Sequence, residues 1–245
     1  MLRDVSEFIN NTAFKLNNFD FSKSDFSKID NFPLNSKQCL YVVDWQDSKI
    51  SYQRDIEKIL GYNENEFSLK TILNIAHRDD LNLIKRITQA VVNHLISQDT
   101  DLSENNSHQN ITYRFRKKDG TYVKILRQST LFEATKNGRM KSNLSLLTDI
   151  SFFDKTDAVN WEFSAPLVEQ DAFRNEIYKE FNDFFTPREI DVIKLISNNF
   201  KTKDIAKKLF ISEHTIYSHR KNILKKSNCH NSQELIEFCN KTGVL

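Results

Sequence analysis

The chain has 245 residues, room for one large or two small domains, and its 39% hydrophobic and 28% charged residues exclude a wholly disordered chain. The net charge of +2 names no partner, but residues 201–226 hold eight Lys or Arg against two acids, which leaves the rest of the chain at −4. A weakly acidic body with one basic end is the pattern of a protein carrying a single nucleic-acid-binding module.

Residues 1–37, rich in Asn, Asp, Ser, Lys and Phe, read as an arm. Val5, Phe8, Ile9, Thr12, Ala13 and Leu16 fall on one face of a short amphipathic helix, and a polar connection follows. CLYVVDW (39–45) has the β-branched and aromatic run of a strand, and KISYQ (49–53) is a candidate second one. Residues 53–98 then turn helical. RDIEKILGY is a short helix stopped by Gly61. NENEFSLKTILNIA offers Asn63 as N-cap with Glu66 three residues on, a capping-box pattern. DDLNLIKRITQAVVNHLI has apolar residues at 81, 84, 87, 91, 92, 95 and 96, which is helix spacing.

Three strands are expected next. Ile111, Tyr113 and Phe115 alternate with Thr112, Arg114 and Arg116, and Asp119-Gly120 supplies a hairpin turn. The return strand runs through Tyr122, Val123, Ile125 and Leu126 toward Phe132. Asn137-Gly138 marks a second hairpin, and NLSLLTDI is the last strand. Two strands, a group of helices and three antiparallel strands make an α+β domain over 38–151, of ordinary size.

In order and spacing, ILGYNENEFS, AHRDDLNLI, YRFRKKDGTYVKI and LLTDIS resemble a PAS sensor domain. Gly61-Tyr62, His77-Arg78-Asp79-Asp80, Asp119-Gly120 and Thr148-Asp149-Ile150-Ser151 occupy the places of the family's short motifs, with Arg78 replacing the common Pro. The resemblance implies a cupped sheet that often holds a small ligand, and it identifies neither that ligand nor a cofactor. No Asn-Cys pair stands where light-sensing flavin-binding relatives carry their reactive Cys, so flavin–thiol photochemistry is not expected. His77 belongs to a turn pattern and reads as structural. His94 on the long helix is the better candidate haem ligand, although a lone His is ordinarily a surface or core residue.

Residues 152–185 form a connector in which AVNWEFSA offers a further short strand. After Pro166, the residues Val168, Phe173, Ile177, Phe181 and Phe184 recur over about four helical turns. Such a helix either packs on its own sensor sheet or pairs with its copy and transmits a signal.

Residues 186–245 read as four short helices. Thr186 caps the first, Pro187 sits in its first turn, Glu189 completes a Thr-x-x-Glu capping box, and Asn198-Asn199 ends it. Thr202 is expected to cap the second, Ser212 the third, and Asn231 or Ser232 begins the fourth. Two helices joined by so tight a turn make a helix-turn-helix. In the third helix Ile216, Ile223 and Leu224 share an apolar face. His214, Tyr217, Ser218, Lys221 and Lys225 share another face, which carries no acid. A solvated helix usually pairs Glu with a Lys four residues on. This one is either a poorly balanced surface helix or one whose missing negative charge belongs to a partner.

Thr186-Pro187-Arg188-Glu189, Asp204-Ile205-Ala206, Leu209, Ile211-Ser212, Thr215-Ile216, His219-Arg220 and Asn222-Ile223 resemble the LuxR-type helix-turn-helix of bacterial transcription regulators over about 184–245, with Asn199 where a Gly is usual. The resemblance implies double-stranded DNA as partner, a homodimer, and a third helix lying in the major groove. By position in the family, Tyr217, Ser218 and Lys221 face base edges. Lys201, Thr202, Lys203, Thr215, His219 and Lys225 hold phosphates, with His219 also open to a packing or capping role. Arg220 is expected to pair with acids of the module's own helices. Ile205, Leu209, Ile216, Ile223 and Leu224 are expected to form core.

No apolar run approaches the ~18 residues of a membrane span. MLRDVSEFIN has no signal-peptide core, and three Cys without a CxxC fit a reducing compartment, so a cytoplasmic protein is expected. Cys229-His230 with Cys239 lacks a second close ligand pair, and no metal site is expected. No phosphate-cradling Gly loop or nucleophile elbow is found, so no enzyme is expected. The reading is a PAS sensor domain followed by an all-α helix-turn-helix domain, forming a transcription regulator whose sensor half sets its activity. The rival is a PAS half that only dimerises or docks another protein and binds no small ligand.

Overall fold

The computed structural model describes residues 2–16, 24–97, 107–136, 138–165, 167–181 and 184–245. The chain divides into two units, Met1–Glu169 and Gln170–Leu245. Asn137, half of the second hairpin signal, and Pro166 lie outside the described residues.

In the first unit, β1 (Gln38–Asp44), β2 (Lys49–Arg54), β3 (His108–Arg116), β4 (Tyr122–Ala134), β5 (Met140–Asp149) and β6 (Trp161–Ser164) form one antiparallel sheet in the order β2-β1-β5-β4-β3-β6 among the described residues. The alternation in the sequence is the alternation of faces. Gln109, Ser129, Ser145 and Tyr41 stand in one cross-strand row, and Ile111, Arg127, Leu147 and Cys39 stand in the next. These rows belong to the face that carries Tyr113, Phe115, Ile125 and Phe163, all buried.

Between β2 and β3 the chain forms α3 (Ile56–Leu60), α4 (Leu69–Ile75) and α5 (Arg78–Ser97). Helix α3 stops at Gly61, whose φ of +80° is the left-handed conformation that favours glycine. Helix α5 buries Leu81, Leu83, Ile84, Ile87, Val92 and Leu95, while Ile96 is left exposed. The expected cap of α4 needs correction. Asn63 and Glu66 do exchange the two capping-box bonds, Asn63 N–H to Glu66 Oε2 at 3.0 Å and Glu66 N–H to Asn63 Oδ1 at 3.2 Å, but around a separate turn. Phe67 is then buried edge-on against Tyr41, which holds the chain out of helix until Ser68, whose Oγ accepts from Thr71 N–H.

The arm has more structure than its composition announces. Helix α1 (Leu2–Leu16) buries Val5, Ile9, Thr12, Ala13 and Leu16 and packs against α4 and α5. Farther on, α2 (Ser27–Asp30) covers the opposite face of the sheet. There Ile29 joins Leu40 and Val42, and Phe26 stacks on Tyr52 and Phe132 at 5.0 and 5.9 Å. The Arg54 guanidinium donates to the carbonyls of Ile29, Asp30 and Phe32. One four-residue turn of helix is too short for periodicity to register.

The second unit contains α6 (Gln170–Tyr178), α7 (Pro187–Ser197), α8 (Thr202–Leu209), α9 (Glu213–Ser227) and α10 (Ser232–Thr242). Val192, Ile193, Ile205, Ile216, Ile223, Leu235 and Cys239 form its core. Thr186 and Glu189 make the full capping box, and α7 ends at Asn198 with Asn199 left-handed at φ 61°. Helix α8 differs from expectation, because its cap is Lys201 and not Thr202. The Lys201 backbone is extended and its carbonyl accepts from Asp204 and Ile205 N–H at 2.9 and 3.0 Å, so Thr202 is already the first helical residue. Helix α6 seats its end against α10. Tyr178 faces Gly243, Arg174 Nη2 donates to the Leu245 carbonyl at 3.1 Å, and Phe181 packs edge-on to Phe238 at 6.1 Å. The two alternatives drawn from the sequence, a sheet-packed helix or a self-paired one, did not include this seat.

Candidate nucleic-acid interface and sensor cavity

Helix α9 is held by its apolar face and its two ends. Ile216 and Ile223 are fully buried. At the start, Ser212 Oγ accepts from Thr215 N–H at 3.0 Å and lies 2.8 Å from Thr215 Oγ1. At the finish, Lys226 Nζ lies 2.6 Å from Glu189 Oε2. Burial works against the Glu189 charge, but the hydrogen bonds from Lys226 and from Thr186 N–H outweigh it and hold the carboxyl below its ordinary value. The preceding helix is fixed as well, since Arg188 Nη2 donates to the Leu209 carbonyl at 2.6 Å, satisfying the C-terminus of α8. Phe210 makes the turn in the left-handed conformation, with its ring 94% exposed.

What this leaves outside is one stripe. His214, Tyr217, Ser218, Lys221 and Lys225 are all exposed, at spacings of three and four along α9. Of the side chains assigned to base edges, Tyr217 is 60% exposed, Ser218 also donates to the His214 carbonyl at 3.1 Å, and Lys221 stands one turn on. Of those assigned to phosphates, Lys201 and Lys203 are exposed at the start of α8 and Lys225 in the last turn of α9. Thr202, Thr215 and His219 are half-buried, and the Thr215 hydroxyl is engaged at the cap. Arg220 does not take the partner expected of it. Its Nη2 donates at 2.8 Å to Ser232 Oγ, at the start of α10, because a hydroxyl and not a carboxylate stands there. The Lys226–Glu189 pair escaped the sequence reading, since no local pattern couples positions 37 apart.

In the first unit a cavity of about 120 Å³ opens between the inner face of the sheet and the helices. Ile72, Ile84, Val92 and Phe163 help to wall it, and α1 closes part of it with Phe8 and Ile9. Polar groups cross its sheet side in a chain. Trp45 Nε1 donates to Asn143 Oδ1 at 2.8 Å, Asn143 Nδ2 donates to Ser145 Oγ at 3.2 Å, and Ser145 Oγ lies 2.8 Å from Ser129 Oγ. Beside them Arg127 Nη2 donates to Gln109 Oε1 at 3.2 Å. Arg127 Nε, Gln109 Nε2 and the Tyr113 hydroxyl are buried without a hydrogen-bond partner among the described residues. Burial pushes the Tyr113 phenol pKa up, so the group stays a neutral O–H.

His77 stands at the head of α5, its carbonyl accepting from Asp80 and Leu81 N–H, both at 3.0 Å. Its N–H donates to the Arg114 carbonyl at 2.9 Å, and its Nδ1 accepts from Asp79 N–H at 3.3 Å. His94 lies edge-on to Phe163 and is not among the residues lining the cavity. No group of three metal-ligating side chains occurs among the described residues, and no helix there is long and apolar enough to cross a membrane.

The two units therefore define a class, a PAS fold followed by a helix-turn-helix domain. Residues 49–145 match the PAS fold family, and residues 183–239 match the luxR family of bacterial regulatory proteins, so the chain carries a domain of each. Oxygen regulatory protein NreC of Staphylococcus epidermidis is 28% identical over 121 residues, 49% of this chain and 48% of NreC. The uncharacterized transcriptional regulatory protein YxjL of Bacillus subtilis is 33% identical over 67 residues, 27% of this chain and 31% of YxjL. The chain thus spans about half the length, or less, of these curated relatives. Among solved structures, the N-terminal domain of a diguanylate cyclase with PAS/PAC sensor from Marinobacter aquaeolei is similar at 21% identity and TM-score 0.36, covering 47% of this chain and 97% of that one. A phage VqmA–DPO complex is similar at 18% identity and TM-score 0.34, covering 89% of this chain and 87% of that one.

Proposed function

We propose that this chain is a cytoplasmic bacterial transcription regulator that binds DNA sequence-specifically through α9 and whose PAS domain sets that activity. The observation that carries the reading is the exposed stripe from His214 to Lys225, free of acid, on a helix whose other face is anchored in the core. The major groove admits one helix and offers each base pair a distinct donor–acceptor pattern. Tyr217, Ser218 and Lys221 read base edges, while Lys201, Thr202, Lys203, Thr215, His219 and Lys225 hold phosphates. Four functional segments follow in this reading: an arm to residue 37, the sensor over 38–151, a connector over 152–185 and the DNA-binding domain from 186. Paired half-sites call for a homodimer. The chain acts by binding and carries out no catalysis.

The test is selection of a binding sequence from random duplexes with the full-length chain, followed by titration of the selected and a scrambled duplex at two salt concentrations. Specific binding gives a preference of about 10³-fold or more for the selected duplex. Equal affinity for both duplexes refutes specific recognition. A sensor half that only mediates contacts remains the competing reading, and the cavity, apolar with one polar row on its sheet side, counts against it.

A further inference from the structure

The cavity in the first unit has a chemical preference written into its unfilled groups. Arg127, Gln109 and Tyr113 all line it, and Arg127 Nε, Gln109 Nε2 and Tyr113 Oη are donors left without a hydrogen-bond partner among the described residues. The orientation of Gln109 is set, because its Oε1 is already occupied by Arg127 Nη2 and its NH₂ must point elsewhere. Gln109 and Tyr113 are 7% and 1% exposed, so bulk water does not serve them. The Arg127 guanidinium lies 5.6 Å from the Tyr113 ring centroid, and no carboxylate pairs with it among the described residues. Its neighbours are the Gln109 amide and the hydroxyls of Tyr41 and Tyr113, all neutral, so the cation lacks an anion. The remaining wall is aliphatic and aromatic.

We propose that the cavity binds a compact organic carboxylate, its two oxygens taken by Arg127, Gln109 and Tyr113 and its apolar body packed against the helices. This rests on the reading of the PAS unit as a sensor and gives its ligand a class. A carboxylate supplies acceptors only, in the number that three clustered donors require, and an Arg with a second donor recognises it in two directions. Size limits the body, because a cavity of about 150 Å³ holds one benzene ring. The ligand is therefore a branched short-chain or single-ring acid.

The experiment uses the full-length chain with isovalerate and benzoate, and with the neutral isosteres isovaleramide and benzamide, read by calorimetry and by thermal shift. The acids are expected to bind at least tenfold more tightly than the amides. Arg127→Met should abolish that difference. Tyr113→Phe, which keeps the ring and its packing, should weaken the acids by about threefold to tenfold and leave the amides nearly unmoved. Equal binding of acids and amides overturns the carboxylate class and leaves a sensor of another kind. No binding by either series, to a chain whose native mass matches its denatured mass, overturns the proposal. If the native chain carries extra mass, a carboxylic acid supports the proposal and a neutral or cationic compound overturns it. DNA affinity with and without isovalerate separates the two readings, since binding without any change in DNA affinity keeps the ligand class and removes the sensor function.

Discussion

Lys226 Nζ lies 2.6 Å from Glu189 Oε2 and joins the last turn of α9 to the first turn of α7. The same carboxylate accepts from Thr186 N–H at 2.9 Å, so one side chain caps one helix and ties down another. Replacing Glu189 by Gln keeps the size and removes the charge. The loss expected is about 0.5–1 kcal/mol, from the charge at the helix start and its pair with Lys226, because Gln still accepts from Thr186 N–H and keeps the cap. Urea unfolding followed by tryptophan-independent circular dichroism measures it.

The same residue predicts a pH dependence. Its pKa is depressed in the folded chain, so the unfolded chain binds more protons over the window just below the ordinary glutamate value. The stabilisation is present above that value and is lost as pH falls through the folded pKa. Stability measured from pH 7 to pH 3 should therefore fall less steeply in Glu189→Gln than in the parent. Parallel curves would remove Glu189 from the acid response.

On α9, Lys221→Ala should lose roughly 1–3 kcal/mol of DNA binding and relax the preference at one base pair. Equal loss on every sequence would make it a phosphate contact instead. Lys225→Ala should weaken binding on all sequences and flatten the salt dependence by about one phosphate. Titrations on selected and scrambled duplexes at several salt concentrations distinguish these outcomes.

In the first unit, Asp80 is 1% exposed and accepts from Arg114 three times, from Nη2 at 2.6 Å, Nε at 3.1 Å and the backbone N–H at 2.9 Å. It locks the first turn of α5 to β3. Asp80→Asn leaves a half-buried guanidinium without its main partner, and about 3 kcal/mol of stability should go with it. A melting temperature unchanged from the parent would show that Asp157, 2.9 Å from Arg114 Nη1, is partner enough.

Gly243 closes α10 at φ +71°, and a Cβ there would meet the Tyr178 ring at 2.4 Å. Gly243→Ala should cost more than 1 kcal/mol from backbone conformation and overlap together. Hydrogen exchange of the α10 amides should rise, and exchange equal to the parent would count against the clash.

The sequence carried the helix-turn-helix almost completely, because capping boxes, left-handed Asn and apolar spacing are local codes. Its errors there are small and have causes. A hydroxyl makes Thr202 the natural choice of cap, yet the Lys201 backbone takes that place. The partner of Arg220 is hidden because no local spacing reveals that Ser232 lies beside it. In the first unit the strands are legible through alternation and Asp119-Gly120. The polar row was not, since Gln109, Ser129, Ser145 and Arg127 come from three strands and meet only through register. The arm was the least legible part, because what organises it is the two surfaces it covers.

The arm and β1 have a consequence for how such a fold is inherited and exchanged. The stretch shared with the PAS family, 49–145, omits β1, which stands between β2 and β5 in the sheet, and omits the α1 side chains that close the cavity. The recognisable module is thus smaller than the piece that folds. A recombination event that moved only the shared stretch would deliver β2 with its neighbour missing and a pocket open on one side. Transfer of the intact fold has to carry the arm and β1 with it.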